Sequence, residues 1–264
     1  MLQLDLITKQ VCNLSRAVGI FILDELNKVK KADILSKGNH DFVTYVDKTA
    51  EKMIIKELSK ILPEAGYIAE ESPDLQTKED FNWIIDPLDG TTNFIHNIPL
   101  FSISIALKYQ DQIISGVVYE VNQKECFYSW KGAKVFLNDK VISVSNTDNL
   151  DQALLATGFP YYDYSKLDEY LKLFKYFLQN TRGVRRLGSA AVDLAYTACG
   201  RFDGFYEYGL RPWDVAAGSF LVQQAGGHIT DFSNKDNYLF GKEIIASNKV
   251  LHRDIVNTVT KFFG

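Results

Sequence analysis

Thiol chemistry is scarce in this chain. Three cysteines occur in 264 residues, at Cys12, Cys126 and Cys199, odd in number, far apart and in no Cys-x-x-Cys pair. They suggest neither a disulfide framework nor a thiolate zinc site, and each is expected to be a small buried apolar side chain. Histidine is equally sparse: His40, His96, His228 and His252 are scattered without zincin spacing, which leaves oxygen ligands to carry any metal chemistry. Oxygen-rich sites favour magnesium, manganese or calcium. Excess positive charge is missing too, and a net charge of -4 leaves no electrostatic footprint for nucleic acid. No run approaches the roughly 18 apolar residues needed to span a bilayer, and residues 1–10 lack a basic region followed by an apolar one. The expectation is a cytoplasmic chain with neither nucleic acid nor membrane as a partner.

Internal repeats, low-complexity tracts and Pro/Gly-rich linkers are also absent. Residues 1–264 therefore read as one unit, of two lobes covering about 1–150 and about 151–264. A chain 46% hydrophobic and 23% charged at this length can bury one sizeable core or two fused lobes. Leu4, Ile7, Val11, Leu14, Val18 and Phe21 recur at helical spacing, as do Val46, Ala50, Met53 and Ile54, which predicts two amphipathic helices packed on a sheet. Strand-like runs for that sheet are 67–69, 83–86, 102–108, 113–119 and 125–130. From Leu154 the rhythm changes: strands at 154–157, 205–207, 228–230 and 243–246 alternate with helices within 166–179 and at 189–199, 213–225 and 250–262. Gly226-Gly227 supplies a helix stop.

The segment Asp86-Pro87-Leu88-Asp89-Gly90-Thr91-Thr92-Asn93-Phe94 carries the most chemistry. Trp83-Ile84-Ile85 reads as a short buried strand ended by Pro87, so Asp86 and Asp89 are expected on the loop leaving it. Gly90, Thr91 and Thr92 can open a helix whose free backbone N–H groups accept an anionic phosphate. Taken alone, the same residues also read as an ordinary Asp-Gly turn. Two distant segments weigh against coincidence. Gly66-Tyr67-Ile68-Ala69-Glu70-Glu71-Ser72 is a strand ending in paired acids, and Arg211-Pro212-Trp213-Asp214-Val215-Ala216-Ala217-Gly218 presents an acid at the start of an apolar helix.

Together these segments resemble the inositol monophosphatase family of magnesium-dependent, lithium-sensitive phosphatases. Asp41-Phe42-Val43-Thr44-Tyr45-Val46-Asp47 matches the family's early Asp-x-Val-Thr-x-x-Asp pattern, and Gly188-Ser189-Ala190-Ala191 with Glu207 matches its substrate-side elements. The resemblance covers most of the chain, in order. It implies an α+β fold, a layered α-β-α-β-α sandwich like that of inositol monophosphatase and fructose-1,6-bisphosphatase, with most metal ligands in the first lobe and substrate-side residues and Asp214 in the second. It assigns Glu70, Asp86 and the backbone carbonyl of Leu88 to a first metal, and Asp86, Asp89 and Asp214 to a second. Thr91, hydrogen-bonded to Asp47, would orient the attacking water, with Glu70 as a further catalytic residue. Asp89, Gly90, Thr91, Gly188, Ala190, Glu207 and Asp214 would contact the substrate.

The cofactor implied is Mg2+, two or three ions per subunit, with Mn2+ as a substitute and Ca2+ and Li+ as inhibitors. The partner implied is a small phosphomonoester, myo-inositol monophosphate first, and a homodimer comes from the resemblance only. Fructose 1,6-bisphosphate, histidinol phosphate and nucleotide bisphosphates stay open as substrates, because Arg211 before Trp213 can place a positive charge near the pocket. A regulatory, partner-binding role also stays open, with Arg182-Gly183-Val184-Arg185-Arg186 as a docking patch or a solvated edge. Simple readings stand beside the functional ones. Asp47 and Asp214 can be helix-start acids offsetting the dipole, Glu70 and Glu71 a solvated strand end, and Glu207 a polar strand terminus.

Overall fold

The computed structural model describes residues 2–30, 33–38, 41–160 and 163–263, with only the backbone of 36–38, 41 and 42. His40 and the side chains of Asp41 and Phe42 from the early motif lie outside the described residues.

Helix α1 (Leu4–Glu25) is followed by a short hairpin, β1 (Leu35–Gly38) and β2 (Asp41–Val43), then α2 (Tyr45–Ile61). A seven-stranded sheet then forms in near-sequential order from β3 (Gly66–Ala69), β4 (Phe81–Asp89), β5 (Ser102–Tyr109), β6 (Gln112–Glu120), β7 (Glu125–Trp130), β8 (Val135–Leu137) and β9 (Lys140–Ile142). Only β3 runs parallel to its neighbour; the rest are antiparallel. The five-residue helix α3 (Thr91–Ile95) interrupts between β4 and β5.

The second half supplies β10 (Leu154–Thr157), α4 (Leu167–Asn180), β11 (Gly183–Arg185), α5 (Ala190–Ala198), β12 (Gly204–Tyr208), α6 (Pro212–Gln224), β13 (Gly227–Thr230), β14 (Glu243–Asn248) and α7 (Lys249–Phe263). Its sheet has the order β11-β10-β12-β14-β13, parallel on the β11 side and antiparallel beyond β12.

Strand periodicity builds the layers. Trp83, Ile85, Ile103, Ile105 and Leu107 face α1 and α2, while their alternate neighbours Ile84 and Ala106 face α5 and α6 in a second core. A period of two with apolar residues on both faces is the mark of a sheet covered on both sides. Ala156, Phe205, Ile244 and Ala246 close the middle layer from the second sheet. The opposite face of that sheet, with Leu155, Tyr206 and Ile245, packs on α4 and α7 through Leu173, Phe177, Leu251 and Ile255. The layers are thus α-β-α-β-α, as expected.

The middle helices are rich in alanine: Ala190, Ala191, Ala195 and Ala198 in α5, Ala216 and Ala217 in α6, all buried. Small side chains let the helices approach both sheets, whereas Trp83, Phe127, Tyr170 and Phe205 fill the wider spaces. Each such large side chain contributes about 1.5–3 kcal/mol on full burial.

Helix α1 departs from the sequence expectation. Its 22 residues include an 18-residue stretch of mean hydropathy 1.3, long and apolar enough to cross a membrane by length and composition alone. No apolar run reaches that length because Thr8, Ser15 and other polar residues interrupt it, yet the average does. Here Ile7, Val11, Cys12, Val18 and Ile22 are buried against α2 and the first sheet.

Two further differences are local. Strand β4 does not stop at Pro87 but continues to Asp89, with a bulge between Asp86 and Asp89 in its pairing with β5. β3 pairs only up to Ile85, so Pro87 lies where β4 has a single neighbour, the setting in which a strand tolerates proline. Cys12 and Cys126, distant in sequence, are side by side: their thiols interact across the α1–β7 packing, which pushes the Cys12 thiol up and the Cys126 thiol down. Both are buried and reduced, as is the half-buried Cys199.

Candidate active site

Strand β4 carries its bulge between Asp86 and Asp89. Asp86 Oδ1 accepts from the Leu88 backbone N–H at 2.9 Å, a local bond that holds the bulge closed. Gly90 then caps α3 at φ +98°, a left-handed conformation that a side chain would strain. Thr91 comes next, and its hydroxyl donates to both the Leu88 carbonyl and Asp47 Oδ1, each at 3.0 Å.

Asp47 has two tasks. Its Oδ2 accepts from the Thr44 backbone N–H at 2.8 Å and from the Thr44 hydroxyl at 2.6 Å, which closes the N-terminus of α2 as a capping box does. The other oxygen is the one that meets Thr91. The helix-cap reading and the active-site reading of Asp47 therefore both hold geometrically. Burial raises its pKa, opposed by the bonds from Thr44 and Thr91.

Glu70 directly follows β3, and the next residue is fixed from α2: the Glu71 backbone N–H donates to buried Glu51 at 2.8 Å. Asp214 sits in the first turn of α6, where its Oδ2 accepts from the Arg211 N–H at 2.6 Å. Asp89 reaches across to the second sheet's side of the molecule, with Oδ2 accepting from the Ser189 hydroxyl at 2.6 Å and the Ala191 N–H at 2.8 Å. Asn93 reinforces that seam by donating to the Leu100 and Leu187 carbonyls at 2.8 and 2.9 Å.

These residues bound one cleft of about 140 Å³. Glu70, Asp86, Leu88, Asp89, Gly90 and Thr91 form one side, and Gly188, Ala190, Glu207 and Asp214 the other. The structure thus gathers every residue that the resemblance singles out, with Asp47 immediately behind Thr91. Negative charge dominates. Asp86 is raised well above the usual carboxylate range by burial and by the charges of Glu70, Asp89 and Asp214. Asp89 is raised by burial, although Ser189, Ala190, Ala191 and Arg186 oppose the shift. Glu207, on β12, is raised well above its ordinary value by burial and then by Asp214.

The donor set suits a hard divalent cation: oxygen atoms only, clustered acids, and a fully buried carboxyl whose ionisation neighbouring acids oppose. Among the described residues no group of three or more His, Cys, Asp or Glu side chains is arranged to hold a metal ion by itself.

Several cleft residues escaped the sequence reading. Gly158 and Phe159 follow β10, Asp193 lies in α5, and Arg186 supplies a positive charge to the cleft. Arg211, the cation expected there, is exposed and does not line it. The reason is its position as the residue before α6: its backbone N–H serves Asp214. The basic run 182–186 is split by β11, with Arg182 and Arg185 exposed and Arg186 turned to the cleft beside Phe159, 5.3 Å from the ring centroid. The recognisable signal for Asp193 was an acid inside the otherwise apolar run Ala190-Ala191-Val192-Asp193-Leu194-Ala195.

Comparison with known proteins agrees with this geometry. The model of the inositol monophosphatase family matches residues 3–262. The chain is 39% identical over 250 residues to the Nus factor SuhB of Pseudomonas aeruginosa, covering 93% of this chain and 92% of that protein. It is also 39% identical over 238 residues to the inositol-1-monophosphatase of Mesorhizobium japonicum, covering 90% of each. Among solved structures, the extragenic suppressor protein suhB from Bartonella henselae superposes with a TM-score of 0.91 at 37% identity, covering 96% of this chain and 98% of that one.

Proposed function

The chain belongs to the inositol monophosphatase family, and from that premise we propose that it is a magnesium-dependent phosphomonoesterase, a single phosphatase domain of two lobes, that hydrolyses myo-inositol monophosphate to inositol and phosphate. The observation that carries this reading is the convergence of Glu70, Asp86, Asp89 and Asp214 on one cleft whose wall also holds the Thr91–Asp47 pair.

Mg2+ held by Glu70, Asp86, the Leu88 carbonyl, Asp89 and Asp214 would supply positive charge for the phosphate oxygens and make water more acidic. The chain's own residues do the rest. Because the Thr91 hydroxyl donates its proton to Asp47 and Leu88, its lone pairs face other donors, and a water in the cleft would donate to Thr91 with its oxygen aimed at phosphorus. Attack forms the new phosphorus–oxygen bond and breaks the bond to the inositol oxygen, which takes its proton from a solvent water and leaves as the free alcohol. The water's proton passes toward Thr91 and Asp47, a carboxylate that burial makes more basic than one in water. The Gly90 and Thr91 N–H groups would hold the phosphate, and Gly188, Ala190 and Glu207 the alcohol.

Phosphate release from a panel of phosphomonoesters tests the reading: inositol 1-phosphate, fructose 1,6-bisphosphate, histidinol phosphate, a 3',5'-nucleotide bisphosphate and an aryl phosphate. Preference for the inositol ester supports it, and preference for a bisphosphate replaces the substrate while retaining the chemistry. The homodimer implied by the resemblance and the cytoplasmic location expected from the sequence belong to the same proposal.

The name Nus factor borne by the Pseudomonas relative favours a second reading, a partner-binding role alongside catalysis. Exposed Arg182 and Arg185 remain available for it. A catalytically dead variant that retains the chain's cellular role would support that reading.

A further inference from the structure

The reaction outlined above gives Asp193 no task. It lies in the first turns of α5, is 1% exposed, lines the cleft, and its Oδ1 is buried without a hydrogen-bond partner. A buried acceptor left unsatisfied costs about 1–3 kcal/mol, and more when charged. An acid in the first turn offsets the dipole of α5, but that benefit does not require burial, and its neighbours are alanine, valine and leucine, which pack well. Buried polar groups that the fold leaves unsatisfied are the ones that call for another explanation.

The neighbours of Asp193 narrow that explanation. Burial, then Glu207, then Asp89 push its carboxyl well above the usual range, and Arg186 opposes them. Glu207 has no room to withdraw on one side. A side chain at Gly158 would place its Cβ 2.0 Å from Glu207 Oε1 and 2.1 Å from Oε2, so the carboxylate lies flat against that glycine. Two carboxyl groups and one guanidinium therefore line this end of the cleft, and Asp193 Oδ1 adds an acceptor that the protein leaves unused. A hydroxyl group is both donor and acceptor and can serve either form of a carboxyl. One hydroxyl on Glu207 leaves Asp193 unserved, whereas a pair of adjacent hydroxyls offers a partner to each.

We propose that Asp193 is a specificity-determining residue that acts with Glu207 to select phosphomonoesters whose alcohol carries adjacent hydroxyl groups. This deepens the phosphatase reading and rests on it. The orphaned carboxyl is then a cost in stability accepted for recognition, the kind of compromise found in binding sites.

The test compares the full chain with Asp193→Ala and Asp193→Asn on two substrates, myo-inositol 1-phosphate and p-nitrophenyl phosphate, and records Tm for each. Asp193→Ala is expected to lower kcat/KM for the inositol ester about 10- to 100-fold, chiefly through KM, and that for the aryl ester at least fivefold less. Asp193→Asn, which keeps a side-chain acceptor, is expected to lie between wild type and Asp193→Ala. Tm should stay level or rise in both variants, because a costly buried group has been removed. Equal losses on the two esters, or a lower Tm with losses on both, would make Asp193 a structural residue and overturn the inference. Unchanged discrimination would also overturn it. Wild-type protein that cleaves the aryl ester without favouring the inositol ester sinks the inference alone, while protein that cleaves neither sinks the phosphatase reading and the inference together.

Discussion

Thr91 donates to Asp47 at 3.0 Å across 44 residues of sequence, so the start of α2 and the start of α3 meet at one hydroxyl. Because Asp47 also caps α2 through Thr44, catalysis and helix capping are separable by substitution. Thr91→Val should lower kcat about 10²- to 10⁴-fold, the usual range for a proton-handling group, with Tm little changed. Thr44→Ala should lose about 0.5–2 kcal/mol of stability while kcat changes less than in Thr91→Val. Asp47→Asn should show both defects. Steady-state kinetics with thermal denaturation decide the matter, and full activity in Thr91→Val would remove it from the reaction.

Activity should vanish with chelator, return with Mg2+ and return in part with Mn2+. Asp89→Asn and Asp214→Asn should collapse turnover, since each takes a charged oxygen from the proposed second metal. Ca2+ and Li+ should inhibit. Lithium is close to magnesium in size but has half its charge, so it can occupy oxygens of Asp86, Asp89 and Asp214 without restoring the electrostatics. Matched lithium, sodium and potassium chloride titrations at saturating substrate separate this from ionic strength. Undiminished hydrolysis in rigorously metal-free protein would refute the metal requirement.

Glu207→Gln should reduce kcat/KM for inositol phosphate more than for an aryl phosphate, which has no hydroxyl array. Gly158→Ala should reproduce that pattern without replacing a polar group, because the new methyl would collide with the Glu207 carboxylate. If Gly158→Ala shows wild-type selectivity, the carboxylate has room that the structure does not give it.

A pH effect on stability arises far from the cleft. His252 is buried between Thr230 and Ser247, its Nε2 3.1 Å and its Nδ1 2.9 Å from their hydroxyls. Its ring meets that of His228 edge-on, with centroids 4.4 Å apart. Burial, then the His228 charge, depress its pKa from 6.5 to about 4. The unfolded chain thus binds the proton more tightly, and stability present above pH 6.5 is lost as pH falls toward 4, by about 2 kcal/mol after allowance for solvent near the ring. Denaturant unfolding of wild type and His252→Asn at pH 7.5 and 4.5 checks this. The stability difference between the two proteins should shrink at the lower pH, and a constant difference would exclude His252 as its source.

Long periodic segments were legible in sequence because burial imposes a period that local residues display. Strand β10 and helices α4, α5, α6 and α7 emerge within a residue or two of their expected limits, whereas α1 and α2 run four and seven residues past the last periodic residue. The three-residue strands β2, β8, β9 and β11 were not legible, since three residues show no period and their pairing is decided by neighbours distant in sequence. The cleft acids were legible through motifs. Gly158 and Phe159 were not, because a strand-end glycine and aromatic become part of a cleft only when β10 aligns with β12. The Cys12–Cys126 contact was hidden for the same reason: spacing along the chain carries no information about α1 lying on β7.

Asp89 ends a strand of the first sheet, yet it is fastened to Ser189 and Ala191 at the start of a helix lying between the sheets. The cleft is therefore complete only where one half of the chain is docked on the other, and neither half has an active site of its own to lose. During denaturation, catalytic competence and the tertiary signal from the buried aromatic residues should disappear in one cooperative transition, with no truncated species retaining a fraction of turnover.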